Sequence, residues 1–202
     1  GGWSREDLGL SLRRCLVCGR EGKGCASRRL HSVEELQEKT REILTGFFAR
    51  QDREALAGQA ARALMYEVCT TPKPGLVDRH NNGSHRDMDL FTFLDSTTAL
   101  LPYWHQAVSI GQETAGLLPE ETFARLREAG LAAERAMFRA TGGVNTHKGA
   151  VFSLGCVLGA AGRLWTPEGP CRDAARLLAE CALMSASAAE EAFSALTPET
   201  AR

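Results

Sequence analysis

The stretch from Thr146 to Leu164 limits the possible folds of this chain more than any other. It contains Gly149, Gly155, Gly159 and Gly162 beside Ala150, Ala160 and Ala161, and after Lys148 it carries no charge until Arg163. A helix this apolar belongs at the centre of a fold, and side chains this small predict that neighbouring backbones approach it closely.

The remaining patterns supply helices to surround it. Ser32 and Glu35 form a capping box for a helix through Val33, Leu36, Ile43 and Leu44 that is expected to end near Gly46. Residues 46–53 read as a boundary. From Glu54 a second helix carries Leu56, Ala60, Ala63, Leu64 and Val68 until Thr70-Thr71-Pro72 stops it. Asp89 caps a third through Leu90, Phe93, Leu94, Thr97, Leu100 and Leu101, and Pro102 should kink it before Tyr103, Trp104, Val108 and Ile110 continue the apolar face. Pro119, followed by Glu120 and Glu121, opens a fourth through Phe123, Leu126, Leu131, Met137 and Phe138, which Gly142-Gly143 ends. Pro170 opens the last, through Leu177, Leu178, Leu183 and Phe193, with Thr197-Pro198 ending the chain. No segment alternates as a strand does. The expected class is all-α: a single domain of about six helices over residues 54–202 with two functional loops, preceded over residues 1–46 by a short Cys-rich segment and a helix.

With 202 residues, 44% of them hydrophobic, and a net charge of -1, the chain has enough length for one good core and no basic excess suited to nucleic acid. No apolar run approaches the roughly 20 residues that span a bilayer, and the N-terminus lacks signal-peptide order. Seven cysteines, an odd number without a compact disulfide framework, fit reduced thiols and a cytoplasmic location.

Function is expected in two loops. Residues 71–89 hold two prolines, two glycines, two imidazoles, a lysine and three carboxylates, so this long segment is neither helix nor strand, and a loop of that length between helices is usually functional. Lys73, fixed between Pro72 and Pro74, is a point charge suited to a phosphate. Asn82-Gly83-Ser84 offers backbone N–H groups and a hydroxyl. In the second loop Asn145 and Thr146 stand at a helix N-terminus that favours an anion, and Lys148 adds a cation. An ordinary turn with an N-cap explains residues 142–149 equally well. Asp87 and Asp89, with Asp78 nearby, are hard oxygen ligands of the kind that hold Mg2+ beside phosphates. His85 and His147 are candidate general acids or bases, while His80 and His105 have weaker grounds. The spacing Gly143 to Lys148 is not that of a Walker loop.

Near the N-terminus Cys15, Cys18, Cys25 and His31 form C-x2-C-x6-C-x5-H among Arg13, Arg14, Arg20, Lys23, Arg28 and Arg29. Three thiols and an imidazole can hold tetrahedral zinc, or the segment packs without metal.

Glu67-Val68, Thr71-Pro72-Lys73-Pro74-Gly75-Leu76-Val77-Asp78, Asn82-Gly83-Ser84-His85, Asp87-Met88-Asp89, Phe93-Leu94-Asp95-Ser96 and Gly143-Val144-Asn145-Thr146-His147-Lys148-Gly149 with Phe152-Ser153-Leu154-Gly155 together resemble the triphosphoribosyl-dephospho-CoA synthase family. Cys15-Leu16-Val17-Cys18, Cys25 and Arg29-Leu30-His31-Ser32 resemble the C-terminal end of the transferase that loads this precursor onto the acyl carrier protein of citrate lyase. The resemblance implies a slice of a fused transferase–synthase, with the synthase domain incomplete at its C-terminal end. It implies ATP and 3'-dephospho-CoA as substrates, adenine and 2'-(5''-triphosphoribosyl)-3'-dephospho-CoA as products, Mg2+ with the ATP, and citrate lyase or malonate decarboxylase as client. In that scheme Lys73, Asn145 and Lys148 hold phosphates, Asp87 and Asp89 carry Mg2+, and one of Asp87, His85 or His147 is the base. A non-catalytic nucleotide-binding module, or a docking module for the acyl carrier protein, stands as the alternative.

Overall fold

The computed structural model describes residues 5 and 7–194, and within them the chain forms six helices: α1 Gly22–Arg28, α2 Val33–Cys69, α3 Leu90–Glu113, α4 Pro119–Ala140, α5 Lys148–Arg163 and α6 Ala174–Ser194. No extended strand occurs among the described residues, so the all-α expectation holds. The chain divides into two compact units, Gly1–Ala49 and Arg50–Arg202.

Local chemistry sets most helix ends. At the start of α2, Ser32 Oγ accepts from the Glu35 N–H at 3.1 Å and Glu35 Oε2 accepts from the Ser32 N–H at 2.8 Å, the reciprocal box read from the sequence. Asp89 Oδ1 accepts from the Thr92 N–H at 2.9 Å and caps α3. Pro119 is the first residue of α4, where its missing N–H costs nothing.

Two expected ends are corrected. α2 does not stop near Gly46 but continues to Cys69. A glycine inside a helix costs only about 1 kcal/mol relative to alanine, which the good helix formers on either side offset. Pro170 does not open α6; that helix begins at Ala174, because Asp173 supplies the cap, its Oδ1 accepting from the N–H groups of Ala175 at 2.9 Å and Arg176 at 3.2 Å. The Phe193 side chain and Thr197-Pro198 lie outside the described residues.

In the second unit α5 is central, packing against α3, α4 and α6. Trp104 and Leu100 of α3, Met137 of α4 and Met184 of α6 are fully buried beside it, and the small face of α2 at Ala57, Ala60 and Leu64 joins the same core. Leu131, Leu178 and Leu183, expected on apolar faces, are exposed. The glycines let α3 and α5 touch backbone to backbone. A Cβ on Gly162 would collide with the Val108 carbonyl oxygen, and one on Gly111 with that of Gly159. Gly162→Ala is therefore expected to cost about 3 kcal/mol through forced separation of the helices, read as a lower urea midpoint. Gly149→Ala, which has open space around its Cβ, should leave the midpoint unchanged or raise it. Equal midpoints for wild type and Gly162→Ala would contradict this packing.

Arg163, at the last turn of α5, ties the helices at one end. Its guanidinium donates to the Thr114 carbonyl at 2.6 Å, Thr122 Oγ1 at 2.7 Å and the Leu117 carbonyl at 3.1 Å, and pairs with Glu180 of α6. The Thr114 carbonyl at the C-cap of α3 and the Leu117 carbonyl of the turn after it thus gain a charged donor. No helix among the described residues is long and apolar enough to cross a membrane.

Candidate active site

The loop between α2 and α3 is organised from inside by Asp78, which is buried. Its Oδ1 accepts from the N–H groups of His80 at 2.8 Å and Asn81 at 3.0 Å, and from Asn81 Nδ2 at 3.3 Å. Its Oδ2 accepts from Thr71 Oγ1 at 2.9 Å and the Lys73 N–H at 3.3 Å. These donors, the His80 N–H foremost, hold the carboxyl well below the usual carboxylate range against the opposing effect of burial. The Asp78 carboxylate, which the sequence groups with Asp87 and Asp89, is turned inward and shapes the loop. Gly83 completes the fold of the loop at φ +59°, where a Cβ would lie 2.5 Å from the Gly75 carbonyl carbon, so only glycine fits.

Lys73 leaves this frame toward α2, its Nζ 2.7 Å from Glu67 Oε1. Glu67 also acts on the second loop, since its charge raises the proton affinity of His147 against burial. His147 is buried, with Nδ1 2.7 Å from Ser96 Oγ of α3 and its ring edge-on to Phe93 at 5.0 Å. Thr146 Oγ1 donates to the same Ser96 oxygen at 2.7 Å. His147 Nε2 is buried without a hydrogen-bond partner among the described residues. Burial pushes this imidazole down to about 4, so it is neutral at pH 7. Lys73 thus pins the first loop to the C-terminal turn of α2, and His147 and Thr146 pin the second loop to Ser96 in the first turns of α3.

The other candidates are placed less centrally. Asn145 Oδ1 accepts from the Lys148 N–H at 3.2 Å, a local turn bond just ahead of the α5 N-cap, His147. Lys148 is exposed and pairs with Glu134 at 3.6 Å, beside a cavity of about 260 Å³ lined by Tyr103, Phe123, Phe152 and Cys156. His85 Nδ1 lies 3.9 Å from the exposed Asp87 carboxylate. Asn82 and Ser84 are exposed; their backbones close the loop, the Asn82 carbonyl accepting from His85 N–H and Ser84 N–H donating to the Gly75 carbonyl. The Asp89 carboxyl is held down chiefly by the Thr92 N–H, as its capping role requires.

Glu67 and Ser96 are the residues that sequence reasoning did not select. Both stand in the quoted motifs, but a glutamate on a helix and a serine inside one carry no signal of their own until tertiary contacts give them partners.

In the first unit the four expected soft ligands do converge. The ligand atoms of Cys15, Cys18, Cys25 and His31 all lie within 4.8 Å of one another, and Cys18 Sγ is 3.4 Å from Cys25 Sγ.

The second unit is thus all-α, with a buried carboxylate, Asp78, framing its first glycine-bearing loop and a buried imidazole, His147, anchoring its second to α3. The chain belongs to the ATP:dephospho-CoA triphosphoribosyl transferase family (CitG), whose model matches residues 53–202. Residues 1–47 match a second family, the apo-citrate lyase phosphoribosyl-dephospho-CoA transferase (CitX). Protein CitXG of Leuconostoc mesenteroides subsp. cremoris is 44% identical over 161 residues, covering 77% of this chain and 34% of the relative. Protein CitXG of Haemophilus influenzae is 46% identical over 162 residues, covering 80% and 34%. The 2-(5''-triphosphoribosyl)-3'-dephosphocoenzyme-A synthase of Haemophilus ducreyi is 46% identical over 147 residues, covering 73% and 45%. The chain therefore spans about a third of the CitXG relatives and under half of the synthase. The order of the two matches, with relatives named CitXG, bears out the resemblance to a fused transferase–synthase. No solved structure matches.

Proposed function

We propose that residues 53–202 supply two loops of a site that transfers the triphosphoribosyl group of ATP to 3'-dephospho-CoA, releasing adenine. The observation that carries this reading is that the family motifs supply both the Lys73–Glu67 pair at 2.7 Å and the buried His147 held by Ser96 at 2.7 Å. The reaction is a pentosyl transfer at C1' of ATP's ribose and passes through an oxocarbenium-like state. The site must hold the triphosphate, bring the acceptor 2'-hydroxyl to C1', remove its proton and help adenine leave.

Lys73 exchanges Glu67 for the phosphates, with Lys148 and the α5 N-terminal N–H groups near Asn145 adding positive charge. Asn82 and Ser84 offer further donors at the loop rim. Asp87 and Asp89 are hard donors that would hold Mg2+ travelling with ATP, the ion neutralising phosphate charge. His85, beside Asp87, is the base for the acceptor hydroxyl. His147, neutral and fixed by Ser96, serves as a hydrogen-bonding group, because an imidazole at about 4 is a weak base at pH 7. Through the CitX-like segment the partner is the acyl carrier protein of citrate lyase, and the setting is cytoplasmic.

The test is adenine release from ATP and Mg2+ by a full-length polypeptide and by this 202-residue chain, with and without 3'-dephospho-CoA. Acceptor-dependent release by the full-length protein is expected. ATP binding with no adenine release by either would replace the transferase with a nucleotide-binding module.

A further inference from the structure

We propose that Cys15, Cys18, Cys25 and His31 form a tetrahedral structural zinc site that holds the CitX-like unit together. The four ligand atoms lie within 4.8 Å of one another. A tetrahedral zinc with bonds of about 2.3 Å to sulfur and about 2.0 Å to nitrogen needs sulfur–sulfur separations of roughly 3.8 Å and sulfur–nitrogen separations of roughly 3.5 Å. The Cys18–Cys25 sulfur separation of 3.4 Å is within about 0.4 Å of that value, so small movements of the four ligands complete the site.

The backbone is shaped for it. Cys15 and Cys18 flank a tight turn in which Gly19 N–H bonds to the Cys15 carbonyl at 2.9 Å, and an antiparallel bridge between Arg14 and Glu21 closes the turn. Gly19 takes φ +70° there. α1 follows at once and brings Cys25 back onto the turn. His31, just past α1, has a buried Nε2 with no hydrogen-bond partner among the described residues, while its Nδ1 faces Glu35 at 3.9 Å. That is the arrangement of a ligating imidazole, one nitrogen toward the metal and the other toward a carboxylate.

Energetics and charge agree. Cys25 is the one buried apolar side chain among the described residues of the first unit, which leaves that unit little core of its own. Binding releases three thiol protons and gives a centre of net charge minus one. Arg13, Arg14, Arg20, Lys23, Arg28 and Arg29 surround it in the sequence and favour that charge.

The experiment is metal analysis of the 202-residue chain purified without chelator, together with Co2+ added to the chelator-stripped protein. One equivalent of zinc and the visible absorption of tetrahedral cobalt thiolate are expected. Cys15→Ser combined with Cys25→Ser should lose both signals, and His31→Cys, which keeps four soft ligands, should retain zinc. Should the double variant misfold, the cobalt spectrum of the unaltered protein decides alone. No stoichiometric zinc and no cobalt band in that protein would overturn the proposal. So would a Cys18–Cys25 disulfide surviving in the isolated chain, shown by two thiols becoming titratable only after reduction.

Discussion

Asp78→Ala in a full-length protein is expected to reduce adenine release by about a hundredfold or more while the helical core stays folded. The substitution removes the acceptor for Thr71 Oγ1, for Asn81 Nδ2 and for the N–H groups of Lys73, His80 and Asn81 at once. Buried donors stripped of a partner turn toward water, and the loop that fixes Lys73 loses its shape. A displacement of the order of an ångström in such a positioning element is enough to cost about a hundredfold in rate. Asp78→Asn should behave almost as badly, since its amide would point N–H groups at N–H groups. The core contacts of α2 to α6 do not include Asp78, so far-UV circular dichroism should change little. The pH dependence has a definite sign. A carboxyl held low in the folded state adds stability above its ordinary value near 3.8, lost only as pH falls below that value. Loop order is therefore insensitive to pH from 5 to 8. Undiminished turnover in Asp78→Ala would remove the loop frame from the scheme.

His147→Asn is expected to show two effects that separate structure from chemistry. Burial holds the imidazole at about 4 against 6.5 when exposed, so between those values the unfolded chain binds the extra proton. Stability is then fully present above pH 6.5 and declines as pH falls toward 4, by on the order of 3 kcal/mol. Below that the loss levels off. Urea titrations at pH 7, 5.5 and 4 should show this slope in the wild type and lack His147's share of it in His147→Asn, whose amide still offers Ser96 a partner. In the full-length protein the same variant should lower turnover by about a hundredfold, because the amide keeps the Ser96 contact but lacks the imidazole Nε2 that is left to meet substrate. A wild-type slope matched by the variant would show that His147 is not buried neutral.

Much of the second unit could be read from local signals. Capping residues and N1 prolines act through neighbours three residues away, so Ser32, Asp89 and Pro119 announced helix starts correctly. Gly46 and Pro170 misled because each is a weak signal that neighbours override: a helix tolerates one glycine, and Asp173 caps better than Pro170. The exposure of Leu131, Leu178 and Leu183 was equally hidden, since an apolar residue in helical period does not say how far round the helix its packing partners reach.

What the sequence by itself determined was the helical class, the position of both loops, the central place of the Gly/Ala-rich helix and, through the order of the motifs, the family. These depend on periodicity, turn chemistry and short-range spacing, which a linear chain displays. Only the tertiary structure decided that Asp78 faces inward, that Glu67 pairs with Lys73, and that Ser96 meets a histidine 51 residues away. Such partnerships exist only once helices are packed, because burial and Coulomb interaction act through space and not along the chain.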